Sequence, residues 1–207
     1  MVHIINKLQL SDRGLVVKGT KQEVHLQQGT MDRACSVYSM MMCLIIIGSI
    51  RRRDVESLND DKIKGNTSKG RLIRTFLYNN GFVRKGKDLS DLKKELLRSY
   101  RKSVTVDYFG ADDIVKNIKE SLDENYPVEL GFVRKSKGGH AVVAIGYEQN
   151  DTDFLFYILD PGYPIPYGQY WNNVIKVETS SNRKYNGFNF VEKSAIQIDE
   201  ALVIKKQ

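Results

Sequence analysis

The sequence contains little of what builds a disulfide framework, a disordered linker or a membrane span. It has two cysteines and four prolines in 207 residues. Two cysteines do not make a disulfide framework, and so few prolines argue against long disordered linkers. The longest apolar run, Val37 to Ile50, is interrupted by serine and glycine and is shorter than the roughly 18 residues of a spanning helix. We therefore expect a self-folding globular protein without a membrane span.

The usual marks of export, of a bound nucleotide and of a metal centre are also missing. The amino terminus has no basic region followed by a long apolar core, so we predict no signal peptide. The expected location is cytoplasmic, or outside the cell by a route without a recognisable signal peptide. The segment "GNTSKGR" has the glycine spacing of a phosphate-binding loop, but Arg71 and Leu72 replace its Lys and Ser/Thr. We predict no cofactor.

The histidines and cysteines are too scattered for a zinc site, which needs three or four well-spaced ligands. Three histidines are present, His3, His25 and His140. We predict no metal, and we interpret His3 and His25 as surface residues.

The chain is basic, with 32 Lys and Arg against 25 Asp and Glu and a formal net charge of +7. Such a charge is compatible with an acidic partner such as nucleic acid. However, the basic residues are dispersed, and no basic stripe interleaved with aromatic residues is present. We interpret them as a solvated basic face and do not expect nucleic acid to be the main partner. The oligomeric state stays open.

Hydrophobic periodicity divides the chain into a helical part, about residues 30–126, and a strand-rich part, about residues 127–207. A central helix is predicted from about Asp32, its amino-terminal cap, to Gly48, its stop. Its apolar residues run nearly all round, which is typical of an enclosed helix. Further helices are predicted from near Asp54, over residues 70–82 with a stop at Asn80-Gly81, over 88–102 with Asp88 or Ser90 as cap, and over 110–127.

Strands are predicted at both ends of the chain. "GLVVKG" and "EVHLQ" predict a small hairpin in the first 25 residues. After Pro127 the predicted strands are "PVELGFVR", "HAVVAIGYE", "FLFYILDP", "NNVIKVE" and "SAIQIDEALVIKK". Helices followed by strands indicate an α+β domain whose largely antiparallel sheet packs on the helices. We predict one domain over residues 1–207.

Cys35 lies where a polar turn meets the apolar helix. This position indicates a reactive cysteine and not one that only fills space in the core. The amino terminus of a helix carries about half a positive charge and unpaired N–H groups, which favour a thiolate. Cys43 lies among Met and Ile, and we assign it to the core. On one helix the two cysteines would stand about 12 Å apart, beyond the roughly 7 Å limit of a disulfide. Both should be free thiols.

His140 and Asp160 are placed to meet at one edge of the sheet. His140 follows two glycines at the start of a strand, and Asp160 ends the next strand before a Pro-Gly turn. Adjacent antiparallel strands bring the start of one beside the end of the other. A base and the carboxylate that orients it require this arrangement. Upstream of Cys35, Gln27 and Gln28 offer an amide that could stabilise an oxyanion together with the backbone N–H of Cys35.

The segments "QQGTMDRACSVYSMMMCLIIIG", "GGHAVVAIGYE" and "FLFYILDPGYP" resemble the papain-like cysteine peptidases. They are most similar to the bacterial branch of bacteriocin-leader (double-glycine) processing peptidases, in a stand-alone form. The resemblance implies a papain-like fold, with Cys35 as nucleophile, His140 as general base and then acid, Asp160 as its orienting residue and a Gln as oxyanion donor. Gly29 occupies the family's usual Gln position, and we prefer Gln28, one residue earlier. Ser36 also departs from the Gly or Trp that commonly follows the nucleophile.

These residues predict a cysteine peptidase that cleaves polypeptides through a Cys-His-Asp triad and an acyl-enzyme. The same residues would serve a deamidase, a transglutaminase-like enzyme or an isopeptidase. A second hypothesis, from a different class, is a catalytically silent binding module that uses the basic face.

Overall fold

The structure is a computed structural model, and it describes residues 1–29, 33–56, 66–78, 87–135, 138–181 and 183–207. The predicted α+β class is confirmed. The helices lie mainly in the first two thirds of the described chain, and the last third is built of strands. Within these ranges, no helix combines the length and apolar character needed to cross a membrane.

Five helices lie in the described ranges. They are α1 (Cys35–Ile46), α2 (Arg52–Glu56), α3 (Ser68–Tyr78), α4 (Leu89–Tyr100) and α5 (Ile114–Asp123). Each overlaps one of the predicted helices. Asp88 occupies the amino-terminal cap position of α4, in an extended conformation, so that helix begins at Leu89. The predicted cap Asp32 and the predicted stop at Asn80-Gly81 lie outside the described residues.

The strands are numbered in chain order. They are β1 (His3–Ile4), β2 (Leu8–Ser11), β3 (Gly14–Val17), β4 (Val104–Phe109), β5 (Val128–Arg134), β6 (Gly139–Gln149), β7 (Asp153–Leu159), β8 (Asn173–Glu178), β9 (Gly187–Asn189) and β10 (Ser194–Lys206). Neighbours pair in the antiparallel order β6-β5-β10-β9-β8-β7, and β7 pairs again with β6, which closes the sheet into a barrel. β1 adds to β6 and β4 adds to β10, whereas β2 and β3 form a separate hairpin.

The helix α1 is the centre of the core, as its all-round apolar sequence predicts. It packs on β6 and β5, and the Oγ of Ser39 donates a hydrogen bond of 3.1 Å to the carbonyl oxygen of Ala141 on β6. Met40, Met42 and Cys43 are completely buried. Gly48 has a φ of +69°, the left-handed conformation that commonly follows the end of a helix and that glycine adopts without strain. This packing holds the first residue of α1, Cys35, against the start of β6.

The strand predictions differ from the structure at both ends of the chain and between the helices, since β1, β2, β4 and β9 were not predicted. β4 lies inside the part of the chain that was expected to be helical, because "VTVDYF" alternates along an edge strand and pairs with β10. The amino-terminal hairpin joins β2 to β3, whereas "EVHLQ" contributes only an isolated bridge between Glu23 and Val16. The prediction missed β2 because "LQLS" is a short alternation interrupted by a turn.

The interpretation of His3 and His25 as surface residues is wrong. Both are half-buried and hydrogen-bonded through Nε2, His3 to the carbonyl oxygen of Leu122 and His25 to that of Asp160, each at 3.0 Å. A histidine presents an apolar ring and two polar nitrogens, so a few residues of sequence do not reveal whether the fold covers it. His25 contacts the candidate site directly.

Candidate active site

His140 and Asp160 meet at one end of the barrel. β6 and β7 are antiparallel, with Val143 opposite Leu159, so the start of β6 lies beside the end of β7. His140 Nε2 is 2.8 Å from Asp160 Oδ1, and the two side chains are 10% and 0% exposed. The ring of Phe132 packs edge-on against the imidazole, with 5.6 Å between ring centroids. This contact restrains the ring while Nδ1 stays available on its other side.

Cys35 is the first residue of α1, is half-buried and is hydrogen-bonded to the side chain of His140. The backbone N–H groups of Ser36 and Ala141 also donate toward its sulfur. Ser36 belongs to the first turn of α1 and Ala141 to β6, so the helix terminus and the sheet both face the thiol. The structure therefore brings together Cys35, His140 and Asp160, the three residues that the sequence analysis selected.

The charges in this group favour an ion pair. Burial raises the pKa of the Cys35 thiol, but the hydrogen bond and the charge of His140 outweigh burial and hold that pKa below its ordinary value. Burial also opposes a charge on His140, yet the hydrogen bonds and negative charges of Asp160 and Cys35 raise its pKa to about 9. The two shifts act in the same direction, since each favours a thiolate beside an imidazolium over the neutral pair.

The two glutamines upstream of Cys35 lie in different places. Gln28 lines the cleft that contains Cys35 and His140, whereas Gln27 lines a separate pocket with Arg13 and His25. The backbone nitrogen of Gln28 donates a hydrogen bond of 2.7 Å to the carbonyl oxygen of Pro161. This hydrogen bond ties the turn before α1 to the loop that follows Asp160.

Asp160 is anchored by residues that the sequence analysis did not select. Its Oδ1 also accepts a hydrogen bond of 2.8 Å from the backbone N–H of Gly162, and its Oδ2 accepts one of 3.0 Å from Asn173 Nδ2. Burial favours the protonated acid, but the hydrogen bonds from His140, Gly162 and Asn173 keep the pKa of Asp160 below its ordinary value. The only sequence signal was the pair of amides that opens "NNVIKVE".

The backbone of Asp160 is held by His25 and Asn172. The carbonyl oxygen of Asp160 accepts hydrogen bonds from His25 Nε2 and from Asn172 Nδ2 at 2.8 Å, and Asn172 Oδ1 accepts one from the backbone nitrogen of Asp160 at 2.7 Å. Burial is the main cause that lowers the pKa of His25, which favours the neutral ring. His25 therefore supports the site without adding a charge to it.

Glu129, on β5, is a buried acid close to Cys35. It is 0% exposed, and among the described residues neither carboxyl oxygen has a hydrogen-bond partner. Burial, and secondarily the negative charges of Cys35 and Glu200, raise its pKa well above the ordinary value. Burial therefore favours the protonated, neutral form of Glu129, which adds no negative charge near the thiol. A Glu inside the apolar run "PVELGFV" was the signal in the sequence.

The cleft around Cys35 has a volume of about 1010 Å³ and is lined by charged and small residues. Asp88, Asp199 and Glu200 supply acidic groups, whereas Arg33 and Arg134 supply basic ones. The lining also includes four small residues, Gly131, Gly139, Ala141 and Gly162. Because Cys35 itself lines the cleft, the arrangement can place an acyl group of a substrate against the thiol.

Comparison of the chain with models of known protein families identifies one matching family. The chain matches the Peptidase_C39 like family over residues 15–192 of its 207, and it belongs to that family. The matched range contains Cys35, His140 and Asp160, together with β6, which carries His140, and β7, which ends just before Asp160. The family is one of papain-like cysteine peptidases, so the predicted superfamily is confirmed at that level. No curated protein matches the chain.

Proposed function

We propose that this protein is a cysteine peptidase that cleaves polypeptides with Cys35 as nucleophile. The observation that carries the proposal is the continuous contact from the Cys35 thiol through the His140 ring to the Asp160 carboxylate. Family membership supports peptidase chemistry independently of this geometry. We extend the proposal to a papain-like arrangement, because α1 packs on β6 and β5 with its first residue at the site.

The proposed mechanism has two steps. The Cys35 thiolate attacks the scissile carbonyl carbon, and the backbone N–H of Cys35 and the Gln28 amide stabilise the oxyanion. The His140 imidazolium donates its Nδ1 proton to the leaving amine, and an acyl-enzyme remains. Neutral His140 then removes a proton from water, which attacks the thioester carbonyl. The acid product leaves, and the Cys35 thiolate and the His140 imidazolium are restored. Asp160 holds the ring oriented throughout, since it occupies Nε2.

The nature of the cleft supports a polypeptide substrate. A cleft lined by both acidic and basic side chains suits a polar polypeptide, whereas small apolar ligands usually occupy enclosed apolar pockets. The finer assignment, to a branch similar to the double-glycine leader-processing peptidases, is part of the proposal and is supported by the family match.

The test compares two cysteine variants on a peptide library. Wild type, Cys35→Ala and Cys43→Ala are incubated with the library, and new chain termini are identified by mass spectrometry. Cys43 is a matched control, because it is a completely buried thiol on the same helix. We expect new termini with wild type and Cys43→Ala and none above background with Cys35→Ala.

Two results would contradict the proposal. Cleavage that persists in Cys35→Ala would show that another residue is the nucleophile. Conversion of side-chain amides to acids, or new isopeptide links, without new termini would replace peptidase activity by a related acyl transfer.

A further inference from the structure

Behind Asp160, on the side away from His140, lie two buried asparagines that no step of the mechanism uses. Asn173, the first residue of β8, is 2% exposed, and Asn189, the last residue of β9, is 0% exposed. Asn173 Nδ2 is 3.0 Å from Asp160 Oδ2 and 3.1 Å from Asn189 Oδ1. The amides thus continue the line of contacts that begins at Cys35.

We propose that Asn173 and Asn189 are positioning residues, which fix the Asp160 carboxylate so that its Oδ1 faces His140. This inference rests on the proposed function, since it assigns the residues a role in activating Cys35. Both act through Asp160 and touch neither the thiol nor the imidazole.

The direction of the Asn173 amide is determined by its surroundings. Its Oδ1 accepts hydrogen bonds from the backbone N–H groups of Val174 at 2.7 Å and Val191 at 3.4 Å. The nitrogen must therefore face Asp160, because an amide has one acceptor end and one donor end. Its two hydrogens have two acceptors, one on Asp160 and one on Asn189. Asn189 Oδ1 is fixed in turn by the backbone N–H of Glu192 at 3.1 Å.

The two carboxylate oxygens of Asp160 consequently have different hydrogen-bond partners. Oδ2 is held by the sheet through Asn173, and Oδ1 is left for Gly162 and His140. Without Asn173 the carboxylate can rotate about its last bond, and its alignment with the imidazole is lost. Hydrogen bonds that orient a functional side chain contribute to its reactivity, as those around metal ligands do.

Stability alone is a poor explanation of this pair. Among the residues that the structure describes, the Asn189 Nδ2 has no acceptor although it is buried. A buried donor without a partner destabilises the fold, and apolar residues of similar size would avoid that cost. A role in orienting Asp160 accounts for a polar pair at this place.

The test follows the reactivity of Cys35 with iodoacetamide against pH. The first variant, Asn173→Leu, removes the amide that donates to Asp160. The second, Asn189→Leu, keeps that amide but removes the Asn189 oxygen that holds it in place. We expect the midpoint of the Cys35 profile to rise by about one pH unit in Asn173→Leu, a roughly tenfold slower reaction on the acidic limb. Asn189→Leu should shift it in the same direction by less.

Controls separate positioning from general damage. Asn186→Leu removes an amide just before β9 that donates a hydrogen bond to the carbonyl oxygen of Glu178 and not to Asp160, so it should keep the wild-type midpoint. In an Asp160→Asn background, adding Asn173→Leu should leave the midpoint unchanged, because the residue acts through the carboxylate. If circular dichroism shows that Asn173→Leu does not fold, the midpoint measured in Asn189→Leu tests the positioning role.

The outcomes for the two proposals are distinct. A low midpoint in wild type that stays unchanged in every folded Asn173 and Asn189 variant would overturn the positioning role and leave the proposed function intact. A wild-type Cys35 that reacts no more readily than an ordinary thiol would instead overturn the proposed function.

Discussion

The backbone nitrogen of Gln28 donates a hydrogen bond of 2.7 Å to the carbonyl oxygen of Pro161, which follows Asp160 directly. Two segments distant in the chain are thereby joined at the cleft, the turn that leads to Cys35 and the loop that leaves β7. The candidate oxyanion donor and the carboxylate that contacts His140 are thus fixed to each other by main-chain atoms. A shift of either segment would therefore change the surroundings of the Cys35 thiol.

The two cysteines should differ strongly in reactivity. His140 lowers the pKa of Cys35, whereas burial raises that of Cys43 well above the ordinary value. We expect iodoacetamide at mildly acidic pH to label Cys35 at least tenfold faster than Cys43, as measured by peptide mass spectrometry. In urea the rates should become similar, and equal slow labelling of the folded protein would favour the silent binding module.

Asp160→Asn should weaken the ion pair without removing the acceptor at His140. The pKa of His140 is about 9 in part because of the Asp160 charge, so it should fall toward its ordinary value of 6.5, as NMR titration can measure. Since the imidazolium must protonate the leaving amine, the alkaline limb of kcat/KM should move from about 9 to lower pH. We expect peptidase activity at neutral pH to fall about 10- to 100-fold. An unchanged alkaline limb would show that Asp160 does not control His140.

Gln28 and Gln27 can be separated by matched alanine substitutions. Gln28 lines the cleft with Cys35, and Gln27 does not. Loss of one oxyanion donor typically lowers kcat about 10²- to 10³-fold, so Gln28→Ala should do so with little change in KM. Gln27→Ala should stay within about twofold of wild type, since surface substitutions are usually mild. The reverse result would move the oxyanion site to Gln27.

Gly162→Ala should disturb the contact between Asp160 and His140. A Cβ at Gly162 would lie 3.2 Å from Asp160 Oδ1 and 3.9 Å from the nearest atoms of the His140 ring. Asp160 is held from behind by Asn173, so it cannot retreat freely. We expect kcat to fall about tenfold with a nearly unchanged melting temperature. Gly110→Ala, where a Cβ meets nothing within 4 Å, is the control and should keep full activity.

The sequence-based predictions were best for elements whose burial shows in consecutive or periodic apolar residues. Such patterns mark α1, α5 and the strands β5, β6, β7, β8 and β10. The selection of Cys35, His140 and Asp160 depended on their places at the ends of such elements. β4 was missed because it is a short edge strand between helices and obtains its partner, β10, from a distant segment.

The positions of Asn173, Asn189, Glu129 and His25 depended on the tertiary structure. Nothing near Asn173 in the chain indicates that its amide faces the Asp160 carboxylate, because that contact arises from barrel closure. Burial of Glu129 likewise follows from α1 lying across β5, and the covering of His25 follows from the loop after β7.

The sequence by itself determined the α+β class, the elements that carry the reactive groups, and which cysteine stands at a helix terminus. Periodicity and turn residues act over a few positions, so they can be recognised without knowing the rest of the fold. The tertiary structure decided how the groups are aligned and which residues hold them, because hydrogen bonds and desolvation depend on atoms that only folding brings within a few ångströms.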